Sequence, residues 1–384
     1  MKTFSRLALG WQLFKNGLRF QYLHHSGKPA KPQVVSLEVT HHCIAKCVMC
    51  NIWRIPREVP LLSTAEWLDL LSSPLFDDLR ELDITGGEPF LKQDLPALLL
   101  GACDLKQRNL ASLKSIIIPT NGILTERVLT FTEQVLPRLK DQDLEFVVVC
   151  SMDAVGEVHD QIRNYKGAWQ KVDKTIHGLV KLRQRFSNLI IGLKTTIVPA
   201  NVGQLNDIVR YAEHQDLFTI ISPCIITEGR YLNYDQAAKL EFDPEHIRKM
   251  VAFFESDCFQ WSYHRNRLLD YLRTGKMRKP CTCGYNYFFV RSTGELFLCP
   301  LINPSIGNIR QHSVKELFAS ENASRMRRRI GKSPECYTCT EPGLERYALP
   351  FQGFSYLSLL LSMKKEPFLQ LHRHMGMDKY FSRP

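Results

Sequence analysis

Between residues 34 and 223 the chain alternates six times between a short apolar run and a longer segment of helical periodicity. The runs fall at 34–39, 79–84, 114–119, 144–150, 189–198 and 218–222. The segments between them place apolar residues three and four apart, the pattern of helices that bury one face. Ser63 with Glu66 three residues on predicts a capped helix start. The run FVVVC at 146–150 predicts a strand buried on both faces, as in parallel sheets. Six such units predict an α/β protein with a parallel sheet and right-handed crossovers, either an open partial barrel or a doubly wound sheet.

After Pro223 the rhythm changes. Asp243-Pro244 predicts a helix start, and a second helix over 263–274 stops at Gly275. A hairpin is predicted from 285–291 and 295–298 around Ser292-Thr293-Gly294. The chain then divides into a basic amphipathic extension (1–33), a core (34–275), a cysteine-rich segment (276–345) and a basic aromatic tail (346–384) expected to cover the barrel mouth or the cysteine-rich segment. Lys+Arg outnumber Asp+Glu by 50 to 39, a net charge of +11, which favours an anionic partner. No apolar run is long enough for a membrane span, and the first 37 residues lack a signal-peptide pattern. A cytoplasmic protein is expected. Trp11, Phe14, Leu18 and Tyr22 at helical spacing leave peripheral membrane contact open beside a helix docked on the barrel. The basic run Arg325, Arg327, Arg328, Arg329 and Lys332 reads as a solvated helix face, and nucleic acid is not an expected partner.

Eight of the twelve cysteines fall in tight groups. Cys43, Cys47 and Cys50 form C-x3-C-x2-C in the loop after the first strand. Three thiolates there can hold three corners of an iron–sulfur cube and leave one iron open; zinc, with His41, His42 or a distant fourth ligand, is the alternative. Cys103, Cys150, Cys224 and Cys258 stand alone and read as small apolar residues. Parallel α/β folds bind ligands at the carboxyl ends of their strands. There the sequence places Gly86-Gly87-Glu88-Pro89, Thr120-Asn121-Gly122, Ser151-Met152-Asp153 and Thr195-Thr196. Successive glycines allow close backbone approach to a ligand, Glu88 suits an amine, and Ser151 and Asp153 suit a ribose.

C-x3-C-x2-C, then GGEP, TNG, S-x-D and HD-x-IR, in that order over about residues 34–230, resembles the radical S-adenosylmethionine superfamily. The resemblance implies a partial (β/α)6 TIM-like barrel. It implies that Cys43, Cys47 and Cys50 bind a four-iron (4Fe-4S) cluster whose open iron takes the amino and carboxylate groups of S-adenosylmethionine. Gly86, Gly87 and Glu88 match the motif beside the methionine amine, Ser151 and Asp153 the ribose side, and Arg163 the carboxylate side, with Asn121 a further match. Met49 stands where an aromatic residue often packs near adenine; a thioether can still pack on a purine. The implied chemistry is reductive cleavage to methionine and a 5′-deoxyadenosyl radical that takes a hydrogen atom from substrate. It needs a low-potential electron donor such as flavodoxin or ferredoxin.

Cys283, Gly294 and Cys299 form C-x10-G-x4-C, and Cys336 and Cys339 add C-x2-C. Four thiolates can hold a second cluster or a zinc ion. The spacing resembles the SPASM/twitch appendage of the same superfamily, which implies a small C-terminal α+β iron–sulfur domain with one auxiliary cluster. Cys281 competes with Cys283, and the glycine spacing favours Cys283. Peptide modification, dehydrogenation or rearrangement of a small molecule, and a lipid or RNA substrate stay open. So does a non-catalytic iron–sulfur or zinc protein. Glu228 and Arg230, after the sixth strand, are candidates to face the pocket.

Overall fold

In the computed structural model, which describes residues 5–256, 258 and 262–381, each apolar run becomes a strand because both its faces are covered. Helix α1 (Arg6–Ser26) precedes β1 (Val34–Glu38), whose five residues are all buried. The chain continues through α2 (Thr64–Ser72), β2 (Glu81–Thr85), α3 (Leu95–Lys106), β3 (Ser115–Thr120), α4 (Thr125–Asp141), β4 (Glu145–Ser151), α5 (Glu157–Arg163), α6 (Ala168–Arg185), β5 (Leu189–Ile197), α7 (Leu205–His214) and β6 (Phe218–Pro223). The expected cap of α2 is formed: Ser63 Oγ accepts from the Glu66 amide at 3.2 Å and Glu66 accepts from the Ser63 amide at 2.8 Å. Strands β1 to β6 are parallel neighbours in sequence order, so the sheet is the open barrel rather than the doubly wound alternative.

Three short helices follow, α8 (Ala237–Leu240), α9 (Pro244–Glu255) and α10 (Ser262–Thr274). Next come β7 (Tyr287–Val290), β8 (Glu295–Phe297) and β9 (Gly307–Asn308). The predicted hairpin forms, with Gly294 turning at φ +96°. The boundary expected near 275–280 is no break in the sheet. β7 lies parallel to β1 in the register Val34 to Tyr287, so the nine strands form one sheet in the order β6-β5-β4-β3-β2-β1-β7-β8-β9. Beyond it lie α11 (Val314–Ala319), α12 (Glu321–Arg327), α13 (Pro342–Gln352), α14 (Phe354–Ser362), α15 (Lys365–His374) and α16 (Asp378–Phe381).

The tail does not cover the mouth; it closes the opposite end. In β2 the side chains alternate, so Glu81, Asp83 and Thr85 share one face while Leu82 and Ile84 enter the apolar core. Glu81 is fully buried at the amino end of β2, and a carboxylate there needs cations. Arg346 of α13 reaches both its oxygens at 2.9 and 2.7 Å. The Tyr380 hydroxyl donates to it, and Lys379 stands 3.7 Å away while also pairing with Glu145 at 2.9 Å. Residues 81 and 145 each begin a strand, so α13 and α16 form the barrel floor. At the other end of the chain, α1 buries Leu9, Leu13, Gly17, Phe20 and Leu23 against α13 and α14, as a docked helix should.

Candidate metal centres at the barrel mouth and beside it

The loop carrying Cys43, Cys47 and Cys50 leaves the carboxyl end of β1 and is pinned from several sides. The Val48 amide donates to the Ile162 carbonyl of α5 at 2.9 Å, Asn233 holds the Met49 carbonyl at 2.8 Å, and the Trp53 indole holds that of Cys50 at 2.9 Å. The glycine pair clamps the stem of this loop. The Gly87 amide donates to the Thr40 carbonyl and the Glu88 amide to that of His42, both at 2.8 Å. A Cβ on Gly86 or Gly87 would collide with the carbonyls of Thr40 or of His41 and His42. The close approach that demands glycine is therefore to the loop's own backbone.

One cavity at the mouth is lined by Cys43, Cys47, Cys50, Met49, Gly86, Gly87, Asn121, Ser151, Arg163 and Thr196. The structure thus brings together nearly all the residues expected there. Glu88 and Asp153 stand behind the wall. Glu88 is fully buried and accepts from the Asn121 amide (2.8 Å), the Thr120 hydroxyl (2.9 Å) and the Phe90 amide (3.3 Å); burial outweighs those bonds and pushes its carboxyl up to about 7. Asp153 is also fully buried. It pairs with Arg163 at 2.7 Å and accepts from the Thr196 amide at 2.9 Å. It positions Arg163, whose Nη1 lies 3.7 Å from the Cys47 sulfur, while Asn121 Nδ2 lies 4.0 Å from that of Cys43. His41 is no candidate ligand, because its ring nitrogens engage Ser292 and the Pro56 carbonyl.

The donor set fits a cluster. Burial raises the Cys43 and Cys50 thiols to about 12, so they become thiolates only beside positive charge, which bound metal supplies. Among the described residues no three His, Cys, Asp or Glu side chains converge on a single-ion site. A four-iron cube takes each thiolate at a separate corner.

The cavity is also lined by groups that the sequence reading largely missed: Lys194 of β5, Arg230, Tyr231 and Glu341. Lys194 sits two residues from Thr196, on the same face of its strand, and its ammonium lies 3.4 Å from the Glu341 carboxylate. Lys194, Arg230 and Lys279 overcome burial and hold Glu341 down at about 2. Arg230 donates to the Thr85 hydroxyl, whereas Glu228 is exposed and outside the cavity. A lone lysine inside the apolar run LIIGLKTTI was the available signal for Lys194.

A second cavity, about 410 Å³, is lined by Cys281, Cys299, Cys336 and Cys339. Cys283 is not on its wall. It is 2% exposed, and its thiol lies beside those of Cys281 and Cys299. The Cys283 thiol beside it holds Cys281 below the usual thiol range. The spacing argument that favoured Cys283 thus meets a geometry that presents Cys281. The two cavities share a wall segment: Cys339 borders one, Glu341 the other, and between them the Thr340 hydroxyl anchors to the Pro223 carbonyl at 2.7 Å.

A parallel barrel with a three-cysteine loop at its strand ends and a second cysteine-lined cavity alongside defines a two-centre metal–sulfur protein of the cofactor-dependent barrel class. Residues 37–197 match the radical SAM superfamily and residues 281–340 match the iron–sulfur cluster-binding SPASM domain, so the chain belongs to the SPASM-bearing radical SAM proteins. Their cofactors are a 4Fe-4S cluster, S-adenosylmethionine and additional iron–sulfur clusters in the SPASM domain. Sporulation killing factor maturation protein SkfB of Bacillus subtilis (strain 168) is 21% identical over 352 residues, 89% of this chain and 78% of SkfB. The AdoMet-dependent heme synthase of Methanosarcina barkeri (strain Fusaro / DSM 804) is 22% identical over 77% of this chain and 84% of its own length. The solved structure of native anSMEcpe with bound AdoMet shares the fold, with a TM-score of 0.57 at 16% identity over 91% of this chain and 98% of that one.

Proposed function

We propose that this chain cleaves S-adenosylmethionine reductively and uses the product to take a hydrogen atom from a peptide substrate. The observation that carries the reading is the single mouth cavity, lined by both the three thiols and the Lys194–Glu341 pair. Bound there, the cluster and S-adenosylmethionine supply one-electron cleavage to methionine and a 5′-deoxyadenosyl group that abstracts hydrogen. Cys43, Cys47 and Cys50 hold the metal, with Asn121 and Arg163 directed at two of their sulfurs. Ser151 and Thr196 face the ribose side, and Gly86 and Gly87 fix the loop. Lys194, Arg230 and Glu341 orient the substrate. The relation to SkfB, a maturation protein, supports a peptide; the heme synthase, at similar identity, keeps a small-molecule substrate as the second reading. The net charge of +11 suits an acidic redox partner such as flavodoxin or ferredoxin.

Oxygen-free loading with iron and sulfide, then reduction in the presence of S-adenosylmethionine, is expected to yield 5′-deoxyadenosine. A loaded protein that releases none is an iron–sulfur or zinc binder, and the proposal fails. Glu341→Gln is expected to keep that cleavage and lose most substrate modification. Normal product formation by this variant would remove Glu341 from the substrate wall.

For the second cavity we propose Cys281, Cys299, Cys336 and Cys339 as the cluster ligands, with Cys283 supporting Cys281. Cys281→Ala is then expected to lose about four irons per chain, and Cys283→Ala to keep most of them. The reverse result would return the ligand role to Cys283.

A further inference from the structure

We propose that the outward face of α1 docks on an anionic lipid bilayer. Five of the nine large apolar side chains exposed among the described residues lie on this helix: Leu7, Trp11, Phe14, Leu18 and Tyr22, between 38% and 87% exposed. At 100° per residue they form one stripe directly opposite the buried Leu9, Leu13, Phe20 and Leu23. The helix is therefore apolar on two faces; packing on α13 and α14 accounts for one and meets the other at Phe14, whose ring lies edge-on to Phe354 at 6.1 Å. Leu361 of α14, 74% exposed, continues the stripe at its amino end, where Arg6 binds the Leu360 and Met363 carbonyls.

Charge identifies the occupant. The first 37 residues contain no acid, and neither does α14. Exposed Lys15 and Arg19 flank the stripe, with the Lys15 ammonium 5.1 Å from the Trp11 ring centroid, and exposed Lys364 and Lys365 follow Leu361. Tryptophan and tyrosine among apolar residues, edged by cations, match the chemistry of a bilayer's headgroup boundary. Area argues against a second copy of the chain. A stripe of fifteen residues' rise, about 22 Å by about 10 Å, offers roughly 200 Å², against about 800 Å² per partner in a stable protein interface. The helix is already folded and held from behind, so docking requires no coil-to-helix transition on the lipid.

Flotation of the full chain with phosphatidylcholine–phosphatidylglycerol vesicles is the test. The wild type is expected to float with them, less so at high salt, and to stay behind with phosphatidylcholine alone. Trp11→Ser with Leu18→Ser should lower partitioning by about tenfold or more at unchanged melting temperature. Lys15→Glu with Arg19→Glu should weaken binding to the anionic vesicles. Leu7→Ser with Tyr22→Ser repeats the test at the stripe's ends if the first pair melts early. Three results overturn the proposal: no flotation with either vesicle, equal partitioning of wild type and variants, or a lipid-free homodimer that the serine variants dissociate.

Discussion

Cys50→Ala is expected to bring 5′-deoxyadenosine formation down to background and to remove about four irons per chain. Cys50 shares the mouth cavity with Cys43 and Cys47; of the two histidines before Cys43, His41 is engaged through both ring nitrogens and His42 does not line the cavity. Two remaining thiols leave two corners of the cube without protein. Cys103→Ala is the matched control: it is fully buried in the apolar core, outside both cavities, and its loss should leave iron and cleavage intact. Measuring iron, sulfide and 5′-deoxyadenosine on the same preparations separates a lost cluster from a misfolded chain. Full cleavage by the Cys50 variant would detach the chemistry from this loop.

The largest effect on stability is expected from Glu81→Ala. The substitution leaves the buried Arg346 guanidinium without its carboxylate, while Lys379 keeps Glu145. Removing one partner of a buried pair costs about 3–5 kcal/mol. The pH dependence follows from the same group. Burial alone would raise Glu81, yet Arg346 and Lys379 bring it from 4.5 down to about 2. A carboxyl whose pKa is lower in the folded state stabilises the fold above the unfolded value, and that contribution disappears as pH falls from 4.5 towards 2. The shift corresponds to roughly 3 kcal/mol. Denaturant titrations should therefore show wild-type stability falling across that window, with a shallower fall in Glu81→Gln. Parallel curves would mean the floor is held by its apolar contacts alone.

The alternation from 34 to 223 was legible because each strand and helix is a local pattern of apolar residues. The cysteine loop was legible because all its ligands lie within eight residues. What sequence reading missed depends on partners far apart in the chain. The run ELDIT reads as a strand, but nothing in it announces that Glu81 meets Arg346 and Tyr380, or that Thr85 meets Arg230. The glycine pair was read as an approach to ligand; both line the cavity, and their tightest contact, with the backbone of Thr40 to His42, was not foreseen. Glu88 and Asp153 were expected at the ligand; neither lines the cavity, because Glu88 accepts from the Asn121 amide and Asp153 pairs with Arg163, which itself lines it. Spacing to Gly294 favoured Cys283, and only the fold shows that it is the Cys281 thiol that borders the cavity. Continuity of the sheet from β1 into β7 joins residues some 250 positions apart, which no local pattern encodes.

The floor has a bearing on how the chain is made. The second strand finds the cations for Glu81 in residues 346 and 379, and the first helix finds most of its seat in residues 342–362. During synthesis from the amino end, both must wait until residues 342–379 emerge from the ribosome. Contacts of such long reach slow folding and lengthen the exposure of unfinished surface. The nascent barrel therefore stays unsealed until residues 342–379 are translated, which makes that interval the stage at which chaperones would meet it.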